Sequence, residues 1–353
     1  MKIAVFLPNW VGDLVMATPA LRAIREKHRE AEVVGVMRGS LSGLLDGTDL
    51  LDRTIVLPHG KSNPWSQSLR SVIELRRESF DLCLLLPNSL RSALWACASG
   101  ARERVGTGRN GRSIFLTRVI PARDRSRPHP VMEEYLRLAS EIGCNGMSRQ
   151  TELAVSPEDL RKLDAFWKKH PDVPHDEVIC FNPGGAFGAA KHWPTEYFSV
   201  VGRRVAEELG KSVLVVCGPA EREIAREIVR RANHPFVVSL AEEEPSLGLT
   251  KGAISRSRLL LTTDSGPRQF APPFGVPAVV LYGPTHQGWS RIASDLETPV
   301  QLQMECGPCQ KRSCPLGHHR CMRELSPESV YSTVKSAITK SAITMPRETK
   351  AAA

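Results

Sequence analysis

Lys2-Ile3-Ala4-Val5-Phe6-Leu7-Pro8-Asn9-Trp10-Val11-Gly12-Asp13 runs from an unbroken apolar stretch straight into a polar turn with a single glycine. Residues 3–7 show no polar alternation, which fits a strand buried on both faces. Residues 19–27 then read as a helix, with Thr18 as N-cap and Pro19 at the first helical position. Strand, turn and helix in that order form the repeating unit of a parallel sheet covered by helices. The rhythm continues with strands expected at 33–37, 54–57 and 81–86, and helices at 67–77, 89–98 and 131–142. It returns in the second half with strands at 178–182, 212–217, 237–240, 259–263 and 278–282. Helices are expected between them at 195–209, 221–232, 247–255 and 267–274.

Between the halves, residues 151–177 are polar and carry Pro157, Pro171 and Pro174, with one helix-like stretch at 157–169. This marks a connection between two domains. We divide the chain into 1–155, 156–325, and a terminal helix with a frayed tail at 326–353. The fold class is therefore α/β, with two Rossmann-like doubly wound domains facing a central cleft. Ligands of such sheets bind at the carboxyl ends of the strands.

The 353 residues are 41% hydrophobic and 24% charged, enough for two cores and a charged surface. No stretch reaches the roughly 18–20 apolar residues that span a bilayer. The amino-terminal apolar run is short for a signal peptide and has no small-residue cleavage site. A cytoplasmic protein is expected, its nine cysteines being thiols or metal ligands rather than a disulfide frame. The net charge of +9 points to an anionic partner. Arg102, Arg104, Arg109, Arg112, Arg118, Arg123, Arg125 and Arg127 crowd one segment against only Glu103 and Asp124. That segment is either a solvated loop or a docking surface for a phosphorylated or carboxylated acceptor. Aromatic residues make up 6% of the chain and are not interleaved with the basic ones, which argues against a nucleic-acid partner.

Three turns are candidates for chemistry. Gly12-Asp13 follows the first strand, where a carboxylate acts as general base or merely caps the next helix. No Gly-x-Gly-x-x-Gly occurs there, against a dinucleotide site. Asn182-Pro183-Gly184-Gly185-Ala186-Phe187-Gly188-Ala189-Ala190-Lys191-His192-Trp193-Pro194 lets backbone approach a ligand and ends in a lysine suited to phosphate, or is a long surface loop. It is not a Walker loop. Asp264-Ser265-Gly266-Pro267 turns from strand to helix, an anion site or an ordinary capped turn, with Tyr282-Gly283-Pro284-Thr285 expected on the same crevice.

Together these motifs resemble the heptosyltransferase family of lipopolysaccharide biosynthesis, glycosyltransferase family 9, from residue 1 to about 330. The phrase Pro-Gly-x-x-Phe-Gly-x-Ala-Lys is most similar to its heptosyltransferase II branch. The resemblance implies a GT-B fold and inverting transfer of L-glycero-D-manno-heptose from ADP-heptose to the lipopolysaccharide inner core, without a catalytic metal or cofactor. It implies an acceptor-binding first domain and an ADP-sugar-binding second domain, at the anionic inner face of the inner membrane. Asp13 then matches the general base, Lys191 the phosphate-binding lysine, and Asp264-Ser265-Gly266 the donor diphosphate loop. Gly12, Gly184, Gly185 and Glu221 join the donor site, with Glu221 near the nucleoside. Gln269 stands where the family has histidine, and a glutamine amide donates a hydrogen bond but carries no charge. Arg102, Arg104, Arg109 and Arg112 are the expected acceptor contacts. Two other functions fit the architecture: a nucleotide-sugar epimerase, and a non-catalytic nucleotide-sugar-binding protein.

Cys306-x2-Cys309-x4-Cys314-x6-Cys321, with His318 and His319 inside it, has the spacing of a structural zinc site or of a Cys-rich loop. Cys83, Cys97, Cys144, Cys180 and Cys217 read as small core residues.

Overall fold

The computed structural model describes residues 1–58, 65–124, 126–185, 188–292 and 294–344. The chain divides into two compact units, Met1–Ala154 with Gly288–Ala293, and Val155–Gln287 with Ser294–Ala353. Arg125, Ala186, Phe187 and the tail beyond 344 lie outside the described residues.

The first unit contains β1 (Lys2–Phe6), α1 (Val11–Lys27), β2 (Glu32–Arg38), β3 (Arg53–Leu57), α2 (Trp65–Arg77), β4 (Leu82–Leu85) and α3 (Leu90–Ala98). It continues with β5 (Glu103–Thr107), β6 (Arg118–Ile120) and α4 (Val131–Ser140). Its six strands are ordered β3-β2-β1-β4-β5-β6 and all pair in parallel. Burial on both faces explains the continuous apolar runs: Ile3, Ala4 and Val5 of β1 are wholly enclosed, as are Cys83 and Leu84 of β4.

The second unit contains α5 (Pro157–Lys168), β7 (Ile179–Asn182), α6 (Thr195–Leu209), β8 (Val213–Val215), α7 (Arg222–Ala232), β9 (Val237–Ser239) and α8 (Leu247–Ser255). After these come β10 (Leu259–Thr263), β11 (Ala278–Tyr282), β12 (Glu297–Gln301), α9 (Arg320–Arg323) and α10 (Pro327–Thr344). The order β12-β11-β10-β7-β8-β9 is the same winding read from the other edge, and every pair is parallel. In each unit the strand order reverses once, between β1 and β4 and between β7 and β10. The crevice outside the carboxyl ends at such a reversal is the ligand position of doubly wound folds. α5 opens with a capping box: Ser156 Oγ accepts from Asp159 N at 3.1 Å, and Asp159 Oδ2 accepts from Ser156 N at 3.2 Å.

Several expectations need correction. Thr18 is not an N-cap, because α1 starts at Val11 and carries Pro19 in its interior. A proline there cannot donate to the carbonyl four residues back, that of Val15. Thr18 Oγ1 donates to that Val15 O at 2.7 Å and accepts from Glu152 N at 2.9 Å, so its hydroxyl replaces the missing bond. Residues 267–274 are not an α-helix but two 3-10 turns, Gly266–Phe270 and Pro272–Phe274, because Pro272 and Pro273 supply no amide hydrogen. The arginine-rich segment is not a loop throughout. It contains β5, and β6 at the sheet edge. β12 also went unread; it carries Pro299, which an edge strand tolerates.

Thr18→Val keeps the side-chain volume and removes both hydrogen bonds. It should lower stability by about 2 kcal/mol, read as a reduced denaturant midpoint. An unchanged midpoint would mean that another group serves the Val15 carbonyl.

Candidate functional site

In the second unit the site is built where β7 and β10 separate. Asn182, the last residue of β7, donates from Nδ2 to Thr262 Oγ1 at 2.8 Å and to Ser265 Oγ at 2.6 Å, bridging the two strand ends. Thr263 Oγ1 donates to Gly184 O at 2.7 Å and draws the glycine turn onto β10. A side chain at Gly185 would meet Ser265 Cβ at 3.4 Å, and one at Gly184 would run into the Glu221 side chain. Glu221 is also beside Gly218, whose Cβ would lie 2.6 Å from its Oε2. Gly184, Gly185, Glu221, Ser265 and Gly266 therefore share one corner.

Lys191 is buried and donates from Nζ to Asp264 O and to Asp264 Oδ2, both at 2.7 Å. Asp264 also accepts from Thr285 Oγ1 at 2.6 Å and pairs with Arg268 at 3.2 Å. Burial works to raise the Asp264 carboxyl, but Arg268 and Lys191 beside it win and hold it below the usual carboxylate range. Arg268 is only 1% exposed. Its guanidinium donates to Tyr282 Oη and lies 3.6 Å from Glu297 Oε2. Burial opposes its charge, yet Tyr282, Glu297 and Asp264 raise its pKa on balance. Lys191, Asp264, Arg268 and Glu297 thus form one buried chain of alternating charge. Gln269 is also buried, in the 3-10 turn that carries Arg268.

The sequence reading missed Glu297, and it placed Asn182, Arg268 and Tyr282 in or beside the motif turns without the partners that join them. Apart from the Asp264–Arg268 pair, these contacts reach 14 to 83 positions along the chain, and local patterning carries no such signal. It also missed what supports the lysine loop. Gly188 has φ +149° and its Cβ would collide with the Arg312 backbone, while Ala190 N donates to Arg312 O at 3.1 Å. Gln310 N donates to Pro284 O at 2.8 Å. The cysteine-rich loop therefore holds both turns beside Asp264.

Within that loop Cys306, Cys309, Cys314 and Cys321 line one cavity with His318 and His319, and all four are free thiols. Hydrogen bonds from backbone amides, that of His319 foremost, hold the Cys314 thiol below its ordinary value. Among the described residues no group of three or more His, Cys, Asp or Glu side chains is placed to hold a metal ion. Cys83, Cys144 and Cys180 are buried, as small core residues would be, whereas Cys97 and Cys217 are half-buried.

In the first unit Asp13 lies in the first turn of α1, half-buried, beside the buried Gly12. Burial pushes its carboxyl up to about 6. Trp10, not Asp13, is the helix N-cap.

The expected acceptor arginines do not form a common surface. Arg112 is fully buried and donates from Nε to Thr107 O at 2.7 Å and from Nη2 to Asn88 Oδ1 at 3.2 Å. Its Nη1 serves Pro87 O and, at 3.4 Å, Ser92 Oγ. Burial lowers its pKa to about 10, and among the described residues it has no carboxylate partner. Arg112 is thus a structural tie, and Gly106 is small because a Cβ would lie 3.1 Å from its Nη2. Arg104 donates to Phe115 O at 2.8 Å and to Ala101 O at 2.6 Å. Arg109 donates to Arg123 O at 2.9 Å. Arg102 stands out in solvent, its side chain 88% exposed.

Comparison with known proteins agrees with this geometry. The family described as "Glycosyltransferase family 9 (heptosyltransferase)" matches residues 69–320. The chain is 26% identical over 347 residues to lipooligosaccharide heptosyltransferase 2 of Campylobacter jejuni, covering 96% of this chain and all of that one. It is 24% identical to lipopolysaccharide heptosyltransferase 2 of Escherichia coli K12, covering 96% and 99%. Its fold is similar to the structure of E. coli ADP-heptose lps heptosyltransferase II, with a TM-score of 0.80, 22% identity, and coverage of 96% and 99%. A second solved structure, E. coli heptosyltransferase WaaC with ADP, gives a TM-score of 0.70 at 16% identity, covering 96% and 100%. No helix among the described residues is long and apolar enough to cross a membrane. Two parallel doubly wound units place the chain in the GT-B class, and it belongs to glycosyltransferase family 9, the heptosyltransferase family.

Proposed function

We propose that this chain transfers L-glycero-D-manno-heptose from ADP-heptose to the inner core of lipopolysaccharide, as heptosyltransferase II does, by single displacement with inversion. The observation that carries the reading, in a member of this family, is the cradle at the β7–β10 reversal. There a buried lysine, two glycine turns and the start of a 3-10 turn surround a carboxylate that fixes them. An epimerase or a non-catalytic binding protein is supported by no comparable observation.

In this reading Asp13 takes the proton of an acceptor hydroxyl as its oxygen attacks the anomeric carbon. The bond from that carbon to the diphosphate oxygen breaks, and ADP leaves with the electron pair. Lys191 and the N–H groups around Ser265-Gly266 bind the growing charge on the diphosphate, which is the work a metal ion does elsewhere. Gly12 leaves room at the base, and Glu221 receives the ribose hydroxyls. Gln269 supplies hydrogen bonding without charge, and Arg268 acts indirectly by keeping Asp264 ionised. The reaction takes place in the cytoplasm on an acceptor set in the anionic inner leaflet. The cysteine loop is structural, and zinc is the ion its spacing suits.

The direct test supplies purified protein with ADP-heptose and mono-heptosylated acceptor and reads product mass. A gain of one heptose is expected; release of free heptose alone would sink the proposal. Asp13→Asn should abolish transfer while ADP affinity changes less than about twofold. The wild-type rate should fall tenfold per pH unit below about 6, where the Asp13 carboxyl is protonated. Its native pKa is raised, so this group favours folding below about pH 4, and that contribution is lost as pH rises through about 6. Asp13→Asn should therefore have a higher thermal midpoint than wild type at pH 7.5 and an equal one at pH 4.

Lys191→Met should lower kcat roughly 10²- to 10³-fold and weaken ADP binding. A normal kcat would remove the lysine from the leaving-group site. Chelator should leave transfer unchanged over minutes; a fall in rate would show that an ion takes part. Metal-free protein with four titratable thiols would leave the loop as a buttress without an ion.

A further inference from the structure

Several arginines of the first unit pair with carboxylates. Arg22 meets Asp49 and Glu152, Arg25 meets Asp52, Arg53 meets Glu32 and Glu78, and Arg137 meets Glu134. Arg104, Arg109 and Arg112 are tied mainly to carbonyls within the fold, whereas two further cations are at the place where this fold binds ligands. Arg38 ends β2, and Arg91 is in the first turn of α3. Both line a pocket over the carboxyl ends of β1, β2, β3 and β4, at the strand-order reversal. Among the described residues no carboxylate lies within 4.0 Å of either guanidinium. Residues 59–64, next in sequence to the pocket, include no acidic residue.

The rest of the pocket has matching chemistry. Trp95 and Phe6 give it an apolar floor, and Ser89 and Ser92 line the side from which α3 begins. Ser89 caps that helix, its Oγ accepting from Ser92 N at 3.1 Å. Arg91 is steadied by one bond, from Nη2 to Pro58 O at 2.9 Å, which leaves most of its donors available. Burial, and then the like charge of Arg91, push Arg38 below its ordinary pKa. Two guanidiniums facing one cavity without an anion repel each other, and an oxyanion between them removes that cost and supplies forked acceptors.

We infer that the Arg38–Arg91 pocket is an anion subsite that receives a phosphate or carboxylate of the acceptor saccharide, with the sugar face against Trp95. The inference rests on the transfer reading above for the identity of the saccharide. It assigns acceptor recognition to this pocket rather than to the arginines of the 102–127 segment.

The test compares wild type with Arg38→Gln, Arg91→Gln and the double variant. The double variant should raise the KM for acceptor roughly 10- to 100-fold. Its KM for ADP-heptose and its kcat should stay within twofold of wild type. Arg38→Lys, which keeps the charge, should recover part of the loss, and matched thermal midpoints show that folding is intact. Acceptor stripped of phosphate and acceptor with reduced carboxyl groups are run in parallel. The modification that erases the difference between wild type and variant identifies the anion. An acceptor KM within twofold of wild type overturns the inference, as does an equal rise when both anions have been removed. Calorimetric titration with deacylated acceptor oligosaccharide reads the same site without turnover. A wild type that makes no product yet loses oligosaccharide binding on Arg38→Gln would defeat the transfer reading and keep the subsite. Product formation with unchanged oligosaccharide binding in the double variant would do the reverse.

Discussion

The Asp264 carboxylate is the constraint on which the second unit's site depends. It follows β10, and it takes hydrogen bonds from Lys191 in the turn after β7 and from Thr285 in the turn after β11. Arg268 in its own turn pairs with its other oxygen and reaches on toward Glu297 at the start of β12. One buried anion thus fixes the loops at four neighbouring strands. Such a pair brings little net stability, since desolvation of each ion offsets most of the attraction. Removing one partner is another matter, at about 3–5 kcal/mol for a charge left buried alone. The arrangement specifies geometry: the glycine turns and the 3-10 turn have one position relative to the lysine, set before any ligand arrives. Positioned donors that need not reorganise are what a departing diphosphate requires.

The first unit solves the same topological problem with a cation and neutral acceptors. Arg112 gathers the turn after β4, through Pro87 and Asn88, the first turn of α3, through Ser92, and the end of β5, through Thr107. Among the described residues no carboxylate accompanies it, and burial lowers its pKa. Carbonyl dipoles and the Ser92 hydroxyl hold the charge. This explains why a run of arginines in sequence is a poor guide to a charged surface. Composition counts charges, whereas their availability is set by carbonyls and carboxylates far along the chain.

The strands and their parallel pairing were legible because both-face burial writes itself as uninterrupted apolar residues, as in β1, β10 and β11. Helices with clear stops were legible for the same local reason; α6 and α8 match their expected limits. Failures occurred where a local signal has two meanings. Thr18-Pro19 carries the signature of a helix start, and only the carbonyl of Val15 reveals that the hydroxyl repairs an interior proline. β5, β6 and β12 were hidden by charged or proline-bearing residues that strands near a sheet edge accept. At the site the glycine turns, Lys191 and Asp264 could be named from motif resemblance. The Asp264–Arg268–Glu297 chain could not, because it exists only once β10, β11 and β12 lie side by side.

Asp13 shows how opposing electrostatic effects are weighed. A carboxylate in the first turn of a helix is favoured by the dipole, typically by about 0.3–1 kcal/mol, which lowers its pKa. Burial acts the other way and takes it from 3.8 to about 6. That is on the order of 3 kcal/mol between its protonation states, larger than the dipole effect even after solvent screening. No cation figures among the causes of the shift. A nearby guanidinium would stabilise the carboxylate and make it a weaker base. Arg38 and Arg91 belong to the ends of other elements, β2 and α3, and neither figures among those causes. An acceptor's anion and its reacting hydroxyl can then be held by separate groups, the first by permanent charge and the second by a carboxylate raised through burial alone.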